Sequence, residues 1–139
     1  MKVPDSEKGF SMVELIIVVA IMGIIGAVLV PYYFNSSDRA RVTTDVSSLI
    51  TVQNQIEVYK AEFSKEPGTD AEGIIKELSR VEYFNEPDMK VDGKIKLQTP
   101  GAKVVYDITV QELRLEVSKH YYDLCKNNQN TLKWLKQAP

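Results

Sequence analysis

LIIVVAIMGIIGAVLVPYYF, residues 15–34, decides how the rest of this chain is read. The stretch holds no charged side chain, and Glu14 is the sole charge between Phe10 and Ser37. Twenty such residues reach about 30 Å as a helix at ~1.5 Å per residue, the thickness of a bilayer's hydrocarbon core. The apolar part of a signal peptide is typically only ~7–15 residues long. The small residues of a signal cleavage site are also missing, since Val30-Pro31-Tyr32-Tyr33 is bulky. The segment is therefore expected to be kept, as a membrane-spanning helix. Charge does not orient it, because Lys2 and Lys8 on one side balance Arg39 and Arg41 on the other.

Past the apolar run the helical period continues but acquires a polar face. Val42, Val46, Leu49, Val52 or Gln53, Ile56, Tyr59 and Phe63 recur at steps of three and four, one apolar stripe of an amphipathic helix. Thr43, Thr44, Asp45, Ser47, Ser48, Gln55, Glu57 and Lys60 fill the other faces. No Gly or Pro falls between Tyr32 and Glu66. One helix is thus expected from about Phe10 to Phe63, kinked at Pro31 and stopped by Glu66-Pro67-Gly68.

The remaining chain changes period twice. Thr69-Asp70-Ala71-Glu72 has capping-box spacing with Thr69 as N-cap, and Ala71, Ile74, Ile75, Leu78 and Val81 mark a short amphipathic helix. After Asn85-Glu86-Pro87-Asp88 the period becomes two. Lys94–Gln98 alternates between the turns Asp92-Gly93 and Pro100-Gly101. Val104, Tyr106, Ile108 and Val110 alternate in a second run, and Leu113, Leu115 and Val117 in a third. This predicts a three-stranded antiparallel meander. In the tail, Asn127–Asn130 reads as a loop, Thr131–Leu135 as a last helical turn, and His120-Tyr121-Tyr122 as strand-end packing. These short elements need the stripe from Val42 to Phe63 as the other half of their core. The expected fold is α+β: a long N-terminal helix, transmembrane in its first half and amphipathic in its second, packed on a small sheet.

Composition narrows the function. Seventeen basic and nineteen acidic residues leave a net charge of −2, which disfavours a nucleic-acid binder driven by bulk charge. One Cys (Cys125) and one His (His120) exclude an intramolecular disulfide and a multi-Cys/His metal site. Residues 66–92 carry eight acidic groups against three basic ones, and residues 119–139 four lysines against Asp123. Such runs are solvated faces by default.

The junction Gly9-Phe10-Ser11-Met12-Val13-Glu14-Leu15, with a proline at position 31 inside the apolar run, resembles that of type IV pilins and type II secretion pseudopilins. The detailed match covers about residues 8–41, and the similarity is looser to Lys60. It implies cleavage by a prepilin peptidase between Gly9 and Phe10, with N-methylation of the new Phe10 amine. It implies a leader of residues 1–9 on the cytoplasmic side, a transmembrane or filament-core helix of 10–34, and a pilin-like globular domain of 35–139. The partners implied are further copies of the chain in a homopolymer, prepilin peptidase, an inner-membrane assembly platform, an assembly ATPase, and minor pilins or pseudopilins. Before assembly the protein would be a single-pass cytoplasmic-membrane protein, and afterwards part of a cell-surface or periplasm-spanning filament.

Physical chemistry gives that junction its own logic. A carboxylate at the edge of an apolar helix is costly to insert, on the order of ~2.5–3.5 kcal/mol at a helix centre and less near the end, so it calls for a partner. The Phe10 amine of a neighbouring subunit would supply one to Glu14. Gly9 leaves the scissile bond unobstructed. Gly23, Gly26 and Pro31 weaken a helix, Gly by ~1 and Pro by ~3 kcal/mol relative to Ala, and their tolerance depends on neighbours.

The resemblance thus implies a non-enzymatic filament subunit, either a major pseudopilin or a disulfide-free type IV pilin. A different class of reading is a single-pass membrane protein with an extracytoplasmic binding domain. No cofactor is expected. Major pseudopilins bind calcium in a C-terminal loop, but no ligand set transfers onto this tail, and Asp88 with Asp92 lacks EF-hand spacing.

Overall fold

The computed structural model describes residues 10–81, 90–91 and 94–139. The leader Met1–Gly9, the loop Asn85–Asp88, the turn Asp92-Gly93 and hence both aspartates of the calcium question lie outside them. Helix α1 spans Met12–Phe63 as one helix with Pro31 inside it, as expected from the unbroken period. The chain divides into two compact units, residues 1–36 and 37–139.

In the first unit every apolar side chain from Phe10 to Phe34 is exposed, and the helix is long and apolar enough to cross a membrane. In the second unit α1 buries Val42, Val46, Leu49, Val52, Ile56 and Tyr59, the expected stripe. Phe63 departs from it. The helix ends there, Ser64 turns into the left-handed region at φ 52°, and the Phe63 ring stays half-exposed against Tyr59, with centroids 4.6 Å apart.

Helix α2 (Ala71–Arg80) follows, burying Ile74, Ile75 and Leu78. Its N-cap is Asp70, not Thr69: Asp70 is extended (φ −138°, ψ 159°) and its carbonyl accepts the Ile74 N–H at 3.0 Å. Gly68 lies so close beneath α2 that a Cβ would stand 2.9 Å from the Ile74 nitrogen, so only glycine lets the chain turn back there.

The sheet is rearranged relative to the meander. Strands β1 (Lys90–Val91) and β2 (Lys94–Ile95) form a separate two-stranded ladder. Strands β3 (Lys103–Asp107) and β4 (Glu112–Val117) form the antiparallel hairpin, pairing Val104 with Leu115 and Tyr106 with Leu113. The third strand of this sheet is the tail: β5 (Leu135–Gln137) runs parallel to β4, so the sheet is mixed. A parallel neighbour needs a crossover. Helices α3 (Lys119–Cys125) and α4 (Gln129–Leu132) provide it: the strand-end packing expected of His120-Tyr121-Tyr122 is a helix, and the helical turn expected at Thr131–Leu135 falls earlier, taking in part of the expected Asn127–Asn130 loop.

Two buried polar side chains of α1, Asp45 and Gln53, account for this arrangement. Asp45 was placed on the polar face by its charge, yet it is 1% exposed, and its two carboxylate oxygens accept the Gln98 and Thr99 N–H groups at 2.7 and 2.8 Å. Those donors are thereby lost to strand pairing, which is why residues 94–98 do not extend the hairpin. Gln53 accepts the Leu113 N–H at 3.0 Å and donates to the Gln111 carbonyl at 3.3 Å, pinning the base of the hairpin turn. The alternation predicted through Ile108 and Val110 fails because β3 stops at Asp107, whose carboxylate accepts the Thr109 N–H; both apolar side chains stay exposed. Leu113, Leu115 and Val117 are buried as their alternation required.

Candidate functional site

The candidate residues collect at the N-terminal end of α1. Ser11 caps the helix: its carbonyl accepts the Leu15 N–H at 3.2 Å and its hydroxyl the Val13 N–H at 3.3 Å. Glu14 reaches back, its Oε2 accepting the Ser11 N–H at 2.9 Å. This is a reciprocal capping box. The Ser11-x-x-Glu14 spacing announces it, as Thr69-x-x-Glu72 announces one before α2, where the backbone makes Asp70 the cap.

The carboxylate at the membrane-facing end therefore has a local role within one chain. It satisfies a donor that the helix cannot satisfy itself and places negative charge at the positive end of the helix dipole. Among the described residues only Oε2 is so engaged, which leaves Oε1 for a further donor. Phe10 is exposed beside it, while Gly9, across the expected cleavage point, lies outside the described residues.

Gly23, Gly26 and Pro31 lie farther along the same helix. A Cβ added at Gly23 or Gly26 would meet nothing within 4 Å, so no contact inside this chain requires glycine there. Pro31 sits within α1 and brings no N–H, so the Ala27 carbonyl loses its ordinary helical donor.

The globular unit holds other polar clusters. The Tyr59 hydroxyl donates to Glu77 at 3.0 Å, and Arg80 approaches the same carboxylate at 2.7 and 2.9 Å. The Arg80 hydrogen bonds, followed by the Tyr59 hydroxyl, hold Glu77 down at a pKa of about 2, from an ordinary 4.5. His120 is not at a strand end. It opens α3, exposed, with Nε2 3.4 Å from Asp38. Cys125 is buried in α3, and that burial pushes its thiol upward. Among the described residues no group of three His, Cys, Asp or Glu side chains could hold a metal ion.

Comparison with known proteins points to the same end of the chain. Residues 5–30 match the family model described as the prokaryotic N-terminal methylation motif. The type II secretion system core protein G of Klebsiella michiganensis is 31% identical over 48% of this chain and 46% of its own length. The core protein G of Vibrio cholerae is 30% identical over 50% and 48%. A fimbrial protein of Neisseria meningitidis is 25% identical over 96% of this chain and 74% of its own. The chain thus spans about half the length of the core protein G relatives it matches. No solved structure gives a significant match. These findings bear out the resemblance to type IV pilins and pseudopilins read from the Gly9–Leu15 junction, and the α+β fold agrees with it.

Proposed function

We propose that this chain, similar to the type IV pilins and pseudopilins, is a structural, non-enzymatic subunit of a type IV pilus-like filament. One observation carries the reading: a methylation-motif junction heads a helix whose first part exposes every apolar side chain. Such a surface is stable only in lipid or among copies of itself, since each aliphatic side chain left in water forgoes roughly 1.5–3 kcal/mol.

In this reading prepilin peptidase cuts between Gly9 and Phe10 and the Phe10 amine is methylated. Residues 10–34 are stored in the cytoplasmic membrane with the leader on the cytoplasmic side. Polymerisation moves that helix from lipid to a protein core, a near-neutral exchange because tails and side chains are equally apolar. An assembly platform and ATPase can therefore drive it in either direction. Glu14 then meets the Phe10 amine of an adjacent subunit. Taking two charges out of water offsets much of their attraction, so the pair acts more on register than on stability. Gly23, Gly26 and Pro31 serve close packing or local loosening of the assembled helices.

Two kinds of filament fit. The core protein G relatives and the single cysteine favour a secretion pseudopilus, while the fimbrial relative aligned over 96% of the chain favours a surface fibre. A secretion defect on deletion marks the first, and loss of surface fibres the second. The deciding test of the shared reading is intact mass and N-terminal peptide analysis of the native membrane-extracted protein. A chain beginning at Phe10 with one added methyl, and a Gly9→Ala variant left at full length, are expected. A chain still beginning at Met1 in cells with active prepilin peptidase overturns it and leaves a membrane-anchored binding domain.

A further inference from the structure

In the globular unit, α3 and the stretch of α1 beside it form a basic surface. Lys119, His120, Asp123 and Lys126 are all exposed. His120 Nε2 ties α3 to α1 at 3.4 Å from Asp38, and Arg39 and Thr43 share a recess with Leu124, Cys125, Asn127 and Asn128. Over residues 38–43 and 119–126, four Lys or Arg stand against two Asp. Arg41 lies 3.5 Å from Asp38, and Lys126 lies 2.6 Å from Asp123. Arg39 and Lys119 are the excess. Both are exposed, and among the described residues neither makes an ion pair.

The chain itself decides what this surface faces. From Glu14 to Tyr33, α1 rises about 28 Å at ~1.5 Å per residue, close to the ~30 Å of a bilayer's hydrocarbon core. The far end of that rise has the chemistry of a membrane boundary. Tyr32, Tyr33 and Phe34 are 75%, 70% and 62% exposed, and Asn35-Ser36-Ser37 follows them. Tyrosines collect at the headgroup level of bilayers, with the ring toward the acyl chains and the hydroxyl in water. Asp38 comes four residues after Phe34, and four residues span at most about 14 Å. Asp38, and α3 bound to it, therefore stay beside the headgroup layer whenever the apolar run is in lipid.

We propose that Arg39 and Lys119 bind anionic lipid headgroups at the face of the membrane where the apolar run emerges. This rests on the membrane-stored subunit of the reading above, and adds a second contact with lipid made by the globular unit. An unpaired Lys or Arg at a negatively charged membrane surface contributes about fivefold in binding. The Arg39 guanidinium suits a phosphate that accepts two parallel hydrogen bonds. Arg41 and Lys126 add less, because Asp38 and Asp123 already neutralise them.

The test places the full chain in vesicles of phosphatidylcholine alone, or of phosphatidylcholine mixed equally with phosphatidylglycerol. Amide exchange in α3 is followed at low and high salt, with the β3–β4 turn as reference. The proposal expects α3 to exchange at least fivefold more slowly in the anionic vesicles at low salt, and alike in both at high salt. Arg39→Gln/Lys119→Gln should abolish the low-salt difference while the turn exchanges as before. Equal exchange in both vesicles overturns the contact and leaves the filament reading intact. Protection that survives high salt or the double variant overturns it too. A chain that floats with neither vesicle overturns membrane storage as well. Should the double variant melt early, Lys119→Gln alone decides: the difference should shrink by at least half, and an unchanged difference overturns the proposal.

Discussion

Within one helix, residues 12–34 and residues 42–59 are both rich in Val, Ile and Leu, yet they behave oppositely. The first stretch leaves its apolar side chains exposed in this chain, while the second buries Val42, Val46, Leu49, Val52, Ile56 and Tyr59. What separates them is the polar face. Thr43, Thr44, Ser47, Ser48 and Thr51 return their hydroxyls to the carbonyl four residues back, at 2.9 to 3.2 Å, so the outer side of the second stretch is satisfied in water. With one side solvated, the other can be covered by a single small sheet and helix. The first stretch is apolar all round and has no polar face to turn to water.

That comparison yields a ranked set of tests. Largest is Leu49→Ala, which removes a fully buried side chain and should lower the unfolding free energy of the globular unit by about 2–5 kcal/mol in denaturant melts of the detergent-solubilised chain. Ile17→Ala in the same assay should change it by less than about 0.5 kcal/mol, although it deletes a comparable side chain. Equal losses would break the distinction between the two stretches. Asp45→Ala comes next. It strands the Gln98 and Thr99 N–H groups and should cost about 1–3 kcal/mol, with faster amide exchange at both residues.

The smallest effect is on pH. Glu77 is held near a pKa of about 2 against an ordinary 4.5, so the folded form prefers its carboxylate charged. Its stabilisation is complete above the ordinary value and fades as pH falls from 4.5 through about 2. Because the pair with Arg80 is solvent-facing, the effect should be modest and should shrink with salt. Glu77→Gln should flatten this part of the acid limb of the stability curve, and an unchanged limb would show that the cluster contributes nothing.

Some of the candidate site was legible and some was not. The junction from Gly9 to Glu14 and the apolar run behind it are contiguous in sequence, so their chemistry could be read directly. The capping role of Glu14 was equally local, since Ser11 and Glu14 have the spacing that a reciprocal cap requires. Gln53 stood on the expected stripe as an alternative to Val52, but Asp45 was not legible as a core residue, and the partners of both were not, because these are backbone groups 53 to 60 residues away. A carboxylate on a helix is solvated unless something distant supplies donors, and no local pattern records that.

Sequence by itself determined the long helix, the stripe that meets the globular core, the short helix after Gly68, the β3–β4 pairing and the membrane-grade character of residues 15–34. Each follows from a period of 3.6 or 2, or from an unbroken apolar run, and all are properties of neighbours along the chain. Only the tertiary structure decided that residues 94–98 leave the edge of β3 unpaired and that the tail adds a strand at the other edge, beside β4. Residues 94–98 alternate well enough to pair with the free edge of β3, but Asp45 takes the Gln98 and Thr99 N–H groups beside that edge. The tail fills the vacant side of β4 through the Leu115 N–H on the Trp134 carbonyl and the Ala138 N–H on the Val117 carbonyl, each 2.8 Å. Each sheet edge is paired or left free according to which backbone donors and acceptors the folded chain brings to it, and partners that distant in sequence leave no local pattern.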